Sequence, residues 1–262
     1  MDILDRIVKD KRCEVAAKKE GLPMSFLMQS PLFERTCYSM SSNIIEGSGI
    51  IAEFKRRSPS KQVINHKDSV IEVVSAYEQA GASAISVLTD TKYFGGSLDD
   101  LIQARQHLNI PLIRKEFIID AYQIYEAKAF GADAILLIAA ILKPEELTSF
   151  SALAHQLGLE VLLEVHNEEE LKASNIDHVD MLGVNNRNLK TFEVNLDTSK
   201  RLSDMISKEK VKISESGISS IEAIHSLKEY GYKGFLIGEN FMKTEEPGIS
   251  AAQFINSLGD ED

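Results

Sequence analysis

Short apolar runs alternate along the chain with segments whose apolar residues recur at helical spacing. Eight of the runs have the length and the continuous apolar character of buried strands. They span residues 49–56, 82–90, 111–117, 134–141, 159–165, 180–186, 210–215 and 234–238. Because strands that alternate with helices form βα units, this pattern predicts a parallel sheet.

Four glycines mark the joints between helical segments and the strands that follow. Gly81, Gly131, Gly158 and Gly231 lie where a left-handed residue ends a helix. Eight strands joined in this way within 262 residues predict a single (β/α)8 TIM barrel, taken as one domain over residues 1–262. A doubly wound open sheet usually has fewer strands and often a glycine-rich dinucleotide loop after the first, which this sequence lacks.

Residues 1–48 precede the first strand and form an N-terminal helical extension. Its first helix is amphipathic, with Ile3, Leu4, Ile7 and Val8 on one face. Such an extension can cap the bottom of the barrel or fold over its top, and the sequence leaves both open.

Polar residues interrupt the apolar runs near their C-terminal ends. Glu53 and Lys55 lie two positions apart, so both point to the same side of the first strand. Burying an acid and a base costs several kcal/mol unless they serve each other or a ligand, which leaves a structural ion pair or a site. Lys115, Glu164, Asn185, Arg187 and Glu215 occupy similar positions on later strands. Polar groups at the ends of several strands are typical of the active-site face of a barrel.

The residues at two strand ends suggest acid–base chemistry. A strand lysine such as Lys115 can be a Schiff-base nucleophile or, beside a carboxylate, a cationic general acid. Glu164 is expected to point inward with Leu162 and to act as an acid or base. Glu116 points to the opposite face and is expected to support Arg114 or a helix. For His166 we expect a surface or capping role.

The loops after the last two strands, ESGISS and IGENFM, have the composition of a phosphate site. Ser216, Gly217 and Gly238 leave the backbone open to a ligand, and Ser58 adds a hydroxyl group, although the glycines also suit simple turns. Three apolar residues follow polar strand ends and are expected either to wall an aromatic-binding pocket or to belong to the core. They are Phe94, Phe117 and Leu189.

Composition narrows the class of partner. The net charge of -11 argues against a nucleic-acid surface or an anionic membrane as partner. Cys13 and Cys37 support neither a disulfide framework nor a zinc site. No uninterrupted apolar run of about 18 residues and no early signal-like segment occurs, so we expect a cytoplasmic protein.

Seven motifs together resemble one family. IAEFKRRSPS, VLTDTKYFGGS, PLIRKEFIID, LLEVHNEEEL, GVNNRNLKTFEV, ISESGI and LIGENFM occur in family order at barrel spacing. They resemble indole-3-glycerol phosphate synthase of tryptophan biosynthesis, from the first helix to the last. The resemblance implies ring closure of 1-(2-carboxyphenylamino)-1-deoxyribulose 5-phosphate to indole-3-glycerol phosphate, with loss of carbon dioxide and water. It implies no cofactor and no metal.

The resemblance also implies roles for individual residues. Lys115 is the general acid that activates the substrate carbonyl, Glu164 is a general acid/base group, and Lys55 binds the substrate carboxylate or takes part in dehydration. The remaining matches are Glu53 as a pairing carboxylate, Asn185 and Glu215 near the sugar hydroxyls, Arg187 as a supporting cation, Ser58, Ser216, Gly217 and Gly238 as the phosphate cradle, and Phe94, Phe117 and Leu189 around the anthranilate ring.

Two positions depart from the commonest family pattern. Glu116 replaces an aspartate, which preserves a carboxylate, and Gln62 replaces a glycine, which is expected to stiffen the first loop. We expect a monofunctional monomer, and an association with other tryptophan-pathway enzymes stays open. The competing interpretations are a Schiff-base aldolase on the same fold and an inactive barrel retained as a scaffold.

Overall fold

A closed barrel of parallel strands forms the centre of the molecule. The computed structural model describes residues 2–174, 177–189 and 191–259. In this part of the chain each strand pairs in parallel with the next, and the eighth pairs with the first. The strands are β1 (Ile50–Phe54), β2 (Ala84–Leu88), β3 (Leu112–Lys115), β4 (Ala134–Ile138), β5 (Glu160–Val165), β6 (Met181–Asn185), β7 (Val211–Glu215) and β8 (Tyr232–Ile237). The TIM-barrel prediction is confirmed, and the open sheet is excluded.

Helices cover the outside and both ends of the barrel. Three described helices precede β1: α1 (Ile3–Gly21), α2 (Met24–Leu27) and α3 (Met40–Glu46). The others are α4 (Val70–Gln79), α5 (Thr91–Phe94), α6 (Leu98–His107), α7 (Ala121–Ala129), α8 (Pro144–Gln156), α9 (Glu168–Ala173), α10 (Asp197–Ser203), α11 (Ile221–Lys228), α12 (Glu239–Met242) and α13 (Pro247–Gly259). No helix in the described ranges is long and apolar enough to cross a membrane.

The joints and strand ends follow the sequence with small differences. Gly81, Gly131, Gly158 and Gly231 have φ values of 89°, 87°, 74° and 81°, as the helix-ending role requires. The run predicted as a strand over 134–141 is a strand only to Ile138, and Ala139–Ile141 form a 3₁₀ turn. Ala139 and Ile141 still pack against the core, so the run is apolar because a turn is partly buried there.

The barrel interior is apolar at one end and polar at the other. Inward side chains at the N-terminal ends of the strands, among them Ile51, Ile113 and Ile213, form one buried cluster. Met40 and Ile44 of α3 join that cluster, and their side chains are essentially unexposed. The helix α3 therefore closes the bottom of the barrel.

The first helix lies at the opposite end. Three of its apolar side chains, Ile3, Leu4 and Ile7, line the cavity at the C-terminal ends of the strands. The two roles that the sequence left open for the extension therefore belong to two helices, with α3 at the bottom and α1 over the top.

A buried cation fixes α1 in this place. Lys11 is only 1% exposed, and its Nζ lies 2.9 Å from Asp90 Oδ2 and 3.0 Å from Glu116 Oε1. Glu116 also accepts a hydrogen bond from Thr89 Oγ1 at 2.8 Å and lies 3.6 Å from Arg114. Glu116 thus supports both Arg114 and a helix, as predicted, although it also lines the cavity at the strand ends. The anchor lies directly beside Lys115 along the chain.

Candidate active site

A cavity of about 370 Å³ opens at the C-terminal ends of the strands. Every site residue predicted from the sequence lines it, and these residues come from seven of the eight strands or the loops that follow them. They are Glu53, Lys55, Ser58, Phe94, Lys115, Phe117, Glu164, Asn185, Arg187, Leu189, Glu215, Ser216, Gly217 and Gly238. Parallel strands explain the convergence, because all of their C-terminal ends lie on the same side.

Lys115 lies at the centre of a cluster of carboxylates. Its Nζ donates a short hydrogen bond to Glu215 Oε2 and lies 3.4 Å from Glu164 Oε2. The strands that carry Lys115 and Glu215, β3 and β7, are not neighbours, so this contact crosses the mouth of the barrel. Burial alone lowers the pKa of Lys115, but Glu215 and Glu164 outweigh burial and raise that pKa above its ordinary value. Lys115 is therefore a cation.

The two carboxylates beside Lys115 have opposite environments. Burial raises the pKa of Glu215 to about 7, with Glu164 adding to the shift and Lys115 opposing it. For Glu164, burial is outweighed by Lys115 and His166, and its pKa is lowered. One carboxyl group can thus hold a proton near neutral pH while its neighbour stays ionised, which is the arrangement that separates acid and base roles.

Glu215 fits because the adjacent strand has no side chain at the same level. A Cβ atom on Gly183 of β6 would overlap Glu215 Oε1 and lie 3.1 Å from Leu162 Cδ1. Glu215 Oε1 is buried and has no hydrogen-bond partner among the described residues. It is therefore an acceptor available to a ligand.

Glu53 and Lys55 form a second acid–base pair. Lys55 Nζ donates to Glu53 Oε1 at 2.6 Å, and Ser86 Oγ lies 3.4 Å from Glu53 Oε2. Glu53 is 3% exposed, whereas the side chain of Lys55 is 18% exposed and follows the end of β1. Both side chains line the cavity, and the ammonium group is the more exposed member of the pair. A Cβ atom on Gly238 would come within 2.6 Å of Glu53 Oε1, so this glycine makes room for the pair.

An apolar wall faces these charges. The rings of Phe94 and Phe117 meet with their centroids 5.8 Å apart and their planes tilted by 40°. Leu189 and the three apolar residues of α1 complete the wall, together with Phe192, which the sequence analysis missed. The cavity thus combines apolar and aromatic side chains with a few charged groups, a lining that suits a ligand with an aromatic ring.

The other end of the cavity is built from backbone and hydroxyl groups. Ser216 and Gly217 both have positive φ, 67° and 81°, and Gly238 precedes the short helix α12. Ser58 lies in the loop after β1, where its Oγ is 3.1 Å from Ser60 Oγ. Ser219, Asn240 and Lys243 also line this end, although the sequence analysis did not select them.

Asn185 and Arg187 combine site and loop functions. A side-chain hydrogen bond from Asn185 to Glu164 helps to lower the pKa of Glu164. The Oδ1 atom of Asn185 also accepts a hydrogen bond from the Arg187 backbone N–H at 3.0 Å. Arg187 Nη1 donates to the carbonyl oxygen of Phe192 at 3.1 Å. The guanidinium group therefore also braces its own loop.

The expected surface role of His166 is wrong, whereas its contacts with Glu170 at the start of α9 agree with the capping alternative. Its side chain is 9% exposed, and its Nε2 lies 3.3 Å from Glu164 Oε1. The sequence signal was available, because position 166 lies two residues after Glu164 and can share its side of the chain. The loop after a strand need not keep that alternation, so the sequence alone did not require the contact.

Metal ligation finds no support in the side-chain arrangement. Within residues 2–174, 177–189 and 191–259, no group of three or more His, Cys, Asp or Glu side chains could hold a metal ion. Cys13 and Cys37 are free thiols.

Comparisons with known proteins agree on one family. A family model described as Indole-3-glycerol phosphate synthase matches residues 4–254. A protein of that name from Bacteroides thetaiotaomicron is 48% identical over 258 residues, covering 98% of this chain and 99% of that protein. Another of the same name, from Caldanaerobacter subterraneus subsp. tengcongensis, is 44% identical over 248 residues, covering 94% of this chain and 96% of that protein.

Solved structures resemble the chain in fold. A mutant tryptophan synthase alpha-subunit from Pyrococcus furiosus superposes with a TM-score of 0.61 at 16% identity, covering 81% of this chain and 98% of that chain. At this identity the likeness supports the barrel fold alone.

Proposed function

We propose how the cavity works from the premise that this chain belongs to the indole-3-glycerol phosphate synthase family. The reaction converts 1-(2-carboxyphenylamino)-1-deoxyribulose 5-phosphate to indole-3-glycerol phosphate, carbon dioxide and water. It joins a ring carbon to a carbonyl carbon, removes a carboxylate and then removes a hydroxyl group. The observation that carries the assignment is the Lys115 ammonium group held between Glu215 and Glu164 in a cavity with an aromatic wall.

In the first step Lys115 acts as general acid. The ring carbon that bears the carboxylate attacks the ribulose C2 carbonyl, and Lys115 donates a proton to the oxygen, which becomes a hydroxyl group. Glu215 exchanges protons with Lys115, because its pKa of about 7 lets it hold a proton near neutral pH. Its unpartnered Oε1 accepts a hydrogen bond from a sugar hydroxyl group.

In the later steps carbon dioxide and water leave. Loss of carbon dioxide returns the bonding electron pair to the ring and restores its aromaticity. The hydroxyl group then departs with a proton from an acid, and Glu164 removes a proton from the C1 methylene group to complete the indole. Lys55 holds the substrate carboxylate until it leaves, because its ammonium group reaches the cavity while Glu53 positions it.

The rest of the cavity binds the two ends of the substrate. The anthranilate ring packs against the apolar wall, where it contacts Phe94, Phe117 and Leu189. At the opposite end Ser58, Ser216, Gly217 and Gly238 receive the phosphate group through hydroxyl and backbone N–H donors. Asn185 and Arg187 order the loop after β6 through their hydrogen bonds within it.

The charge state of Lys115 argues against the aldolase alternative. A Schiff-base lysine must be neutral to attack a carbonyl group, and burial without acidic partners is the usual way to lower its pKa. Lys115 instead has two carboxylate neighbours that raise it. The same arrangement suits a cationic acid.

An assay of indole fluorescence in EDTA tests the proposal. The chain contains no Trp, so product appears over a low protein background. We expect wild type to form product and Lys115→Met to lose at least a hundredfold in kcat, as removal of a general acid does. Lys172→Met is the matched control, because that lysine is 66% exposed and pairs with Glu168 on the surface.

Two results would contradict the assignment. Equal turnover by Lys115→Met and wild type would remove Lys115 from the acid role. Covalent trapping of a carbonyl substrate by borohydride, lost in Lys115→Met, would favour the aldolase instead.

We also propose a cytoplasmic enzyme that works as a monomer. The side chains assigned above converge in one cavity of one barrel, and both cysteines are free thiols. Sedimentation at catalytic concentrations tests the monomer, and a kcat that depends on protein concentration would contradict it.

A further inference from the structure

His166 lies behind the carboxylate group of Glu164. Its Nε2 lies 3.3 Å from Glu164 Oε1, while the other oxygen of that carboxylate, Oε2, faces Lys115 at 3.4 Å. The substrate cavity is lined by Glu164 but not by His166. The imidazole therefore contacts the proposed acid/base group through the carboxylate oxygen that does not face Lys115.

The turn into α9 holds the imidazole in place. Glu170 Oε2 accepts the backbone N–H of His166 at 2.8 Å and lies 3.1 Å from its Nδ1. Asn167 caps α9 by accepting the Glu170 backbone N–H at 2.9 Å, and its Nδ2 donates to Glu170 Oε1 at 2.7 Å. Glu168, Glu169 and Glu170 form the acidic first turn of α9. Acidic residues stabilise a helix N-terminus, and Glu170 in addition binds the imidazole of His166.

The charge of His166 follows from its two carboxylate neighbours. Burial alone lowers the pKa of His166, but Glu164 and Glu170 outweigh burial and raise it to about 10. His166 also lines a surface groove between α1 and α9, which charged side chains of α1, namely Asp5, Lys9 and Arg12, share with Arg187. With both ring nitrogens protonated, the ring is a cation that hydrogen-bonds Glu170 through Nδ1 and faces Glu164 through Nε2 as an ion pair without hydrogen-bond geometry.

We propose that His166 is a positioning residue for Glu164. His166 holds the Glu164 carboxylate beside Lys115, and Glu170 holds the imidazole of His166 in place. This role rests on the proposed function of Glu164. A carboxylate between two cations cannot rotate freely, and displacement of a reacting group by about 1 Å can cost a hundredfold in rate. His166 itself does not line the cavity assigned to the substrate.

Two substitutions separate positioning from packing. The amide of His166→Gln can place an N–H donor near the position of Nε2, whereas that of His166→Asn reaches only the position of Nδ1. We expect His166→Asn to lose about tenfold in kcat with KM changed less than twofold, and His166→Gln to retain more of the wild-type kcat. His155→Asn is the control, because His155 pairs with Asp180 on the surface and should leave both parameters unchanged.

Unchanged kcat in both His166 variants would overturn the proposal. Equal losses in the two would also overturn it, since packing alone would then suffice, and so would a change confined to KM. Imidazole ¹⁵N resonances give a readout that needs no turnover. We expect His166 to be doubly protonated at pH 8 and Glu164→Gln to lower its titration midpoint, whereas a neutral ring at pH 8 in wild type would refute the contact. An inactive wild type with this titration would instead refute the proposed function.

Discussion

A single methyl group at Gly183 tests the acid cluster without removing any charged group. This residue lies in β6, beside Glu164 of β5 in the strand register. Glu215 occupies the space that a side chain on Gly183 would need. A Cβ atom there would overlap Glu215 Oε1. Gly183→Ala must therefore move the carboxylate away from its present position.

The size of the effect follows from the contact that is lost. Restoring ordinary separation requires Glu215 to move by roughly 1 Å. Its hydrogen bond with the Lys115 ammonium group is charge-assisted, and such bonds contribute about 1.5–3 kcal/mol. At about 1.4 kcal/mol for each factor of ten, kcat should fall roughly 10- to 100-fold. Overpacking should also reduce the free energy of unfolding by about 1–3 kcal/mol.

The assay compares this variant with a glycine at the other end of the barrel. Indole fluorescence gives kcat, and urea denaturation gives the free energy of unfolding. Gly234→Ala is the control, because its Cβ would lie 2.8 Å from Ile213 Cγ1 and 3.3 Å from Ile44 Cγ2, within the apolar bottom layer. We expect that variant to lose stability while the folded fraction keeps its kcat. If Gly183→Ala has the stability and the kcat of wild type, the position of the Glu215 carboxylate beside Lys115 is not required for turnover.

Three further predictions concern other parts of the molecule. Lys11→Met removes the cation that the buried acids Asp90 and Glu116 share, and only Glu116 keeps a second cation nearby, Arg114, so the free energy of unfolding should fall by about 3–5 kcal/mol; a urea midpoint equal to that of wild type would contradict the anchor. Ser216→Gly relieves a positive φ of 67°, so stability should rise by roughly 1 kcal/mol while KM rises through loss of the hydroxyl group; KM values that match would remove the Ser216 hydroxyl group from the phosphate site. Wild type should be more stable than His166→Asn by about 2 kcal/mol. Because Glu164 and Glu170 raise the folded-state pKa of His166 to about 10, this difference should be fully present below pH 6.5 and disappear as pH rises through about 10. Urea denaturation at pH 6 and pH 10.5 measures the difference, and a difference that grows with pH would contradict the prediction.

The sequence by itself determined the barrel and the end at which the site lies. The alternation of side chains along a strand fixes their direction relative to the local chain, which is why Glu53 and Glu164 point inward as predicted. Parallel strands then bring every C-terminal end to one face. The glycine joints were equally local, since a positive φ depends on one residue and the helix it ends.

Tertiary structure decided which of these groups are partners. Lys55 pairs with Glu53, two residues away, whereas Lys115 pairs with Glu215 across the barrel mouth, 100 residues along the chain. That second pairing depends on closure of the sheet, because β3 and β7 are not neighbours in it.

The same limit explains the helices and the histidine. Amphipathicity predicts that one face of α1 is buried but not what covers it, so only the packed structure assigned α1 to the top and α3 to the bottom. His166 lies beyond the end of β5, where the strand alternation stops and the turn into α9 sets the direction of the ring. Local patterns fix what a residue does relative to its own segment, whereas contacts between segments depend on where the whole chain places them.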